Sequence, residues 1–153
     1  MKRTLVCLVI AWFVVFTGSL SFAESLDPSL NDALNTFLAG YKNKDADALN
    51  RIMSAQGSQY SYREKSKKSD LMSKQELLTW MRNTAAEKYS KYEAGNRLVE
   101  YVGKSRNIAV VKADLAAAWK GADSKAHACF LLAMIDGKWQ LVSYSLDQWQ
   151  DTY

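Results

Sequence analysis

The stretch Ile108 to Leu146, IAVVKADLAAAWKGADSKAHACFLLAMIDGKWQLVSYSL, leaves few folds open. It reads as three long strands, Ile108 to Trp119, Lys125 to Ile135 and Lys138 to Asp147, joined by tight turns into an antiparallel meander. Asp136-Gly137 is the strongest hairpin signal in the chain. Both residues tolerate the positive φ that a two-residue type I′ turn demands.

The turns propose a register. Centring the hairpin on Asp136-Gly137 pairs Leu131 with Val142, Cys129 with Tyr144 and His127 with Leu146. Centring the earlier turn, Lys120 to Ser124, on Ala122 pairs Trp119 with Lys125 and Ala117 with His127. Ala113, Leu115, Ala117, Trp119, His127, Cys129, Leu131, Val142, Tyr144 and Leu146 then share one face, whose small alanines admit a helix or a ligand. Lys112, Asp114, Phe130, Leu132, Met134, Trp139 and Leu141 share the other. A one-residue slip would exchange the two faces. Phe130, Trp139 and Leu141 together would form a large bare patch on a monomer, so this face predicts a homodimer packed through the sheet.

The first residues, MKRTLVCLVIAWFVVFTGSLSFAES, combine a basic start, an apolar run from Leu5 to Phe16 and a small-x-small site at Ser21-Phe22-Ala23. That is the anatomy of a secretory leader cut after Ala23. The apolar run is shorter than the roughly 20 residues of a membrane span. The reading is a leader over residues 1–23, one domain over 24–153, and a periplasmic or secreted product with no membrane attachment after cleavage. Two of the 20 basic residues, Lys2 and Arg3, fall in the leader, so the balance against 16 acidic residues offers no argument for nucleic acid. Cys7 lies within the apolar run, too early to carry a lipid. Cys129 is the sole cysteine beyond the leader, which excludes an internal disulfide.

Asp27-Pro28 starts a helix with an N-cap and a proline at the first helical position. Leu30, Leu34, Phe37, Leu38 and Tyr41 follow at helical spacing. Asp45 caps a second helix reaching Met53, and Gly57 ends this bent helical arm. Gln59 to Arg63 predicts a short strand and Leu71-Met72 its return, with the charged run Arg63 to Lys68 as a solvated loop between them. Ser73 and Glu76 form a capping box for a third helix carrying Leu77, Leu78, Trp80 and Met81. Arg97 to Val102 reads as a further strand. The whole is α+β, a curved antiparallel sheet wrapped around N-terminal helices.

His127 is the only histidine, and on this register Trp119 and Tyr144 are its diagonal neighbours. Two readings stand: a titratable group in an aromatic pocket, or a core histidine bonded to a tyrosine or carbonyl. Trp80, Tyr60 and Tyr62 would complete the pocket wall. No metal site is expected from one histidine and one cysteine without acidic ligands at ligand spacing, and no cofactor-binding glycine pattern occurs.

Four segments carry a resemblance. They are Lys44 to Leu49, Met72 to Leu78, Asn107 to Ala113, and Phe130 to Val142 with its Asp136-Gly137-Lys138-Trp139 turn. From Pro28 to Leu146 the chain resembles the nuclear transport factor 2-like (cystatin-like cone) superfamily, nearest its bacterial lumazine-binding and polyketide-cyclase-like branch. The resemblance implies a cone with a hydrophobic cavity between sheet and helices, often in a dimer. It leaves function open, because this scaffold hosts isomerases, dehydratases, cyclases, binders and oligomerisation domains.

Three functions follow as expectations. The first is a noncatalytic exported domain holding a small apolar or aromatic ligand, with Tyr60, Tyr62, Trp80, Trp119, His127 and Tyr144 as candidate contacts. The second is an isomerase- or dehydratase-like enzyme, for which His127 as base and Tyr144 or Tyr62 as donor is the one arrangement available. Asp114, alternating with Leu115, faces away from the pocket. The third is a protein-interaction module using the outer sheet face.

Overall fold

The computed structural model describes residues 26–63 and 67–152. Helix α1 (Pro28–Asn43) begins where the sequence places it. The Asp27 carboxylate accepts from the backbone N–H groups of Ser29 at 2.8 Å and Leu30 at 3.3 Å, satisfying donors that have no partner within the helix. Leu30, Leu34, Phe37, Leu38 and Tyr41 form its buried stripe. The helix stops at Lys44, which adopts the left-handed conformation (φ 56°). There the Lys44 N–H reaches Tyr41 O (3.2 Å) and the Asp45 N–H reaches Gly40 O (2.9 Å), a Schellman closure. Asp45 at once caps α2 (Ala46–Ile52) through Ala48 N. A Cβ on Gly40 would stand 3.3 Å from Ala48 Cβ and Leu49 Cδ2; its absence lets the two helices cross closely. Helix α3 (Lys74–Asn83) carries the expected capping box of Ser73 and Glu76.

The described residues form six strands, β1 (Met53–Arg63), β2 (Lys68–Ser73), β3 (Lys91–Val102), β4 (Ile108–Trp119), β5 (Ala122–Ile135) and β6 (Lys138–Thr152). They form one sheet in the order β2-β1-β6-β5-β4-β3. Every pairing is antiparallel except β1 with β6, which is parallel. β1 starts earlier than expected, and Gly57 lies buried within it rather than ending the helical arm. The leader lies outside the described residues, as does the middle of the charged run, at 64–66.

Two features revise the register. The β4–β5 turn is a two-residue loop, Lys120-Gly121, with φ of 52° and 81°, matching the 49° and 73° of Asp136-Gly137. Such turns suit the twist of the flanking strands. Trp119 therefore pairs with Ala122 and Ala117 with Ser124, three positions from the expected partner. An odd displacement turns every β5 side chain over. The second feature is a bulge between β5 and β6: Leu132 faces Leu141 but Leu131 faces Ser143, leaving Val142 as the extra residue. Beyond the bulge Tyr144 lies opposite Phe130.

The inner face consequently carries Ala109, Val111, Ala113, Leu115, Ala117, Ala126, Ala128, Phe130, Leu132, Tyr144 and Leu146, all buried. His127, Cys129 and Leu131, expected inside, belong to the outer face. The outer patch expected to bind a second copy is not on the surface. Phe130 and Leu141 are completely buried and Trp139 is 6% exposed, all in the core of the single chain.

Phe37 meets Phe130 and Tyr144 edge-on, with ring centroids 6.0 and 5.2 Å apart. Phe37→Ala is expected to lower unfolding free energy by about 3–5 kcal/mol. Leu98→Ala, at a half-exposed outer-face position, should change it by about 0.5 kcal/mol or less. Urea titration of both variants checks this; equal losses would refute the assignment of faces.

Candidate functional site

The interior of the cone is floored with aromatic rings. Tyr144 stacks on Phe130 (4.9 Å, 15°) and Tyr41 on Tyr92 (4.4 Å, 15°). The hydroxyls of Tyr92 and Tyr144 are hydrogen-bonded, and the Tyr41 hydroxyl donates to Gln59 Oε1 at 3.1 Å. Burial drives Tyr41, Tyr92 and Tyr144 well above the ordinary tyrosine range, so all three stay protonated beyond the pH at which a free tyrosine ionises.

Above this floor the end of α1, α3, the α3–β3 connection and the ends of β3 and β4 converge. Trp80, Tyr89 and Trp119 stand there half-buried around the side chain of Lys44. The Lys44 Nζ lies 3.2 Å from the Trp80 ring centroid, 4.8 Å from that of Tyr89 and 5.7 Å from that of Trp119. The residue is 4% exposed, and its ammonium has no hydrogen-bond partner among the described residues. The rings are held from behind: Trp119 Nε1 donates to Glu87 O at 3.0 Å, and Tyr89 N to Lys42 O at 3.0 Å. Ring faces attract a cation but offer no lone pair to its three N–H donors.

Burial pushes the Lys44 ammonium down to about 8, against the weaker opposing effect of the Glu87 carboxylate. Tyr89 beside it is raised to about 12 by burial. Lys74 is the instructive contrast. It too is buried, but its Nζ donates to Asn50 O and Met53 O, each at 2.8 Å.

The structure divides the residues singled out from the sequence. Trp80 and Trp119 meet at Lys44. Tyr144 lies deeper, in the ring floor. Tyr60, 41% exposed, is on β1 beside Ser145 and Leu71, with Tyr62 two residues further along the strand. His127 is on the outer face, so it and Tyr144 point to opposite sides of the sheet. There His127 Nδ1 lies 3.1 Å from Asp114 Oδ1, and Asn96 Nδ2 donates to Asp114 Oδ2 at 2.7 Å. These three residues, with Lys112 and Cys129, line an open groove of about 500 Å³. The Asn96 hydrogen bond, followed by His127, holds the Asp114 carboxyl below its usual range. Asp114 faces away from Leu115 and Trp119, as expected. Among the described residues no group of three or more His, Cys, Asp or Glu is arranged to hold a metal.

Lys44, Tyr89, Tyr41 and Tyr92 were not evident as site residues. The signal available for Lys44 was its place between Asn43 and the Asp45 cap, a helix end where glycine or asparagine is usual.

Helices inside a curved, mostly antiparallel sheet define a nuclear transport factor 2-like cone domain. The chain belongs to the family described as "Putative lumazine-binding", whose sequence profile matches residues 27–145. Solved structures with the same fold include a nuclear transport factor 2-like protein from Cytophaga hutchinsonii (TM-score 0.65, 11% identity, 78% of this chain and 94% of that one). A "putative aromatic ring hydroxylase" from Novosphingobium aromaticivorans is also similar (0.61, 12%, 81% and 91%). So is a "putative ketosteroid isomerase" from Parabacteroides distasonis (0.57, 12%, 83% and 91%). No curated protein matches the chain in sequence.

The Lys44 environment has a pH signature. Between a folded value of about 8 and the ordinary 10.5, the unfolded chain binds more protons, so stability rises with pH across that window. The raised tyrosines oppose this only above about pH 10. From pH 8 to 10 the wild type should gain about 2 kcal/mol relative to Lys44→Met. Denaturant titrations at both pH values test this, and parallel pH profiles would refute it.

Proposed function

We propose that the protein is an exported, noncatalytic domain that binds a small planar aromatic molecule at the ring-lined end of its cone. One observation carries this reading. A buried ammonium without a hydrogen-bond partner among the described residues, walled by Trp80, Tyr89 and Trp119, offers both stacking surface and polar donors, the combination that orients small ligands in largely apolar sites. The family description, lumazine-binding, points to a planar heterocycle, and fold relatives named for work on aromatic rings and steroids agree with an apolar ligand. The noncatalytic part of the reading is supported by the separation of His127 and Asp114 from Tyr144 by the thickness of the sheet.

Titration with flavin-like and pteridine heterocycles, followed by tryptophan fluorescence, tests the ligand. Saturable quenching is expected, with Trp80→Ala and Trp119→Ala each weakening binding about three- to tenfold. Absence of binding across the series would sink the proposal. Export rests on the basic start, apolar run and Ser21-Phe22-Ala23 of the leader. Expressed as the full chain in a bacterium, the protein should be recovered from the periplasm or medium beginning at Glu24. A cytoplasmic product beginning at Met1 would count against export.

A further inference from the structure

We propose that the Lys44 site selects an anionic aromatic ligand, one that places a carboxylate or the deprotonated edge of an acidic heterocycle against the ammonium. This rests on the ligand site proposed above and adds the charge of its occupant.

The argument starts from what the buried lysine lacks. Its Nζ is shielded from water and, among the described residues, meets only ring faces, which leave its N–H donors open. A buried charge with open donors is unfavourable unless an acceptor arrives. The fold supplies acceptors where it intends a buried lysine to be structural, as the two carbonyls on Lys74 show. Glu87 does not serve Lys44 in this way. Its carboxylate is bonded to Lys120 Nζ at 2.8 Å and acts on Lys44 only through space.

The ring geometry suits a flat anion. Tyr89 and Trp119 stand 6.0 Å apart with a 30° opening between their planes. Tyr89 lies on the short connection between α3 and β3, so a modest movement of that connection would admit a ring between them. The acid group of that ring would face the ammonium. A neutral ring in the same place would bury the ammonium further and leave its donors empty.

The test compares naphthalene carboxylate with its neutral carboxamide on the unmodified protein at pH 7 by calorimetry, which needs no substitution. The carboxylate is expected to bind about ten- to a hundredfold more tightly, the range for a hydrogen bond to a charged group. At pH 9 its binding should be accompanied by proton uptake, read from buffers of different ionisation heat. In Lys44→Met the preference should vanish while the carboxamide still binds. Equal affinity for both compounds in the wild type, or a preference surviving in Lys44→Met, overturns the charge selection and leaves the ligand site standing. Failure of both compounds and of the heterocycle series overturns the site itself.

Discussion

Side chains alternate across a strand, and everything inside this cone depends on how that alternation is phased between β4, β5 and β6. The two-residue turn at Lys120-Gly121 brings Ala126, Ala128 and Phe130 to the same side as Ala113, Leu115 and Ala117. The bulge at Val142 then turns Tyr144 back toward that side. Alanines at five inner positions of β4 and β5 leave depth for larger groups, and α1 fills it with Phe37 and Tyr41. The stacked rings are the floor on which the Lys44 site stands. One residue more or less in the turn would put Phe130 in water and His127 in the core, and loss of the bulge would turn Tyr144 and Leu146 outward.

The two buried lysines separate structure from prospective function. Lys74 ties the start of α3 to the α2–β1 corner by donating to two carbonyls whose intrahelical partners are lost. Its ammonium is satisfied by the fold. Lys44 is held in place by backbone geometry, since the left-handed conformation that ends α1 aims its side chain among the rings, yet the described residues give the head no acceptor. A left-handed lysine carries a steric cost of about 1 kcal/mol that glycine would avoid.

Much of the fold was legible because its signals are local. Asp27-Pro28, the Asp45 cap, the Ser73–Glu76 capping box and the Asp136-Gly137 turn each act within four residues, and each is found where the sequence places it. The Lys120-Gly121 turn is not legible in the sequence because lysine gives no hint that it will accept positive φ, and the neighbouring Ala122 to Ser124 reads equally well as loop. The Val142 bulge carries no glycine and leaves no trace in the pattern. The site was half legible. Trp80 and Trp119 are aromatic enough to be noticed, whereas a lysine in a polar hinge and Tyr89 in the charged run Glu87 to Lys91 both read as solvated. What makes them a site is their meeting in space, across connections that no periodicity encodes.

The lone parallel pairing in the sheet has an entropic consequence. β1 follows directly from the helical arm, yet its ladder partner besides the neighbouring β2 is β6, the last strand. The meander from β3 to β6 can zip from one hairpin to the next, each closing a short loop. The arm and the β1–β2 hairpin join the sheet only by closing a loop that contains the entire meander, the entropically costly kind of closure. The helical lining, with its lysine and rings, is therefore tied into the cone by the most long-range strand pairing of the sheet.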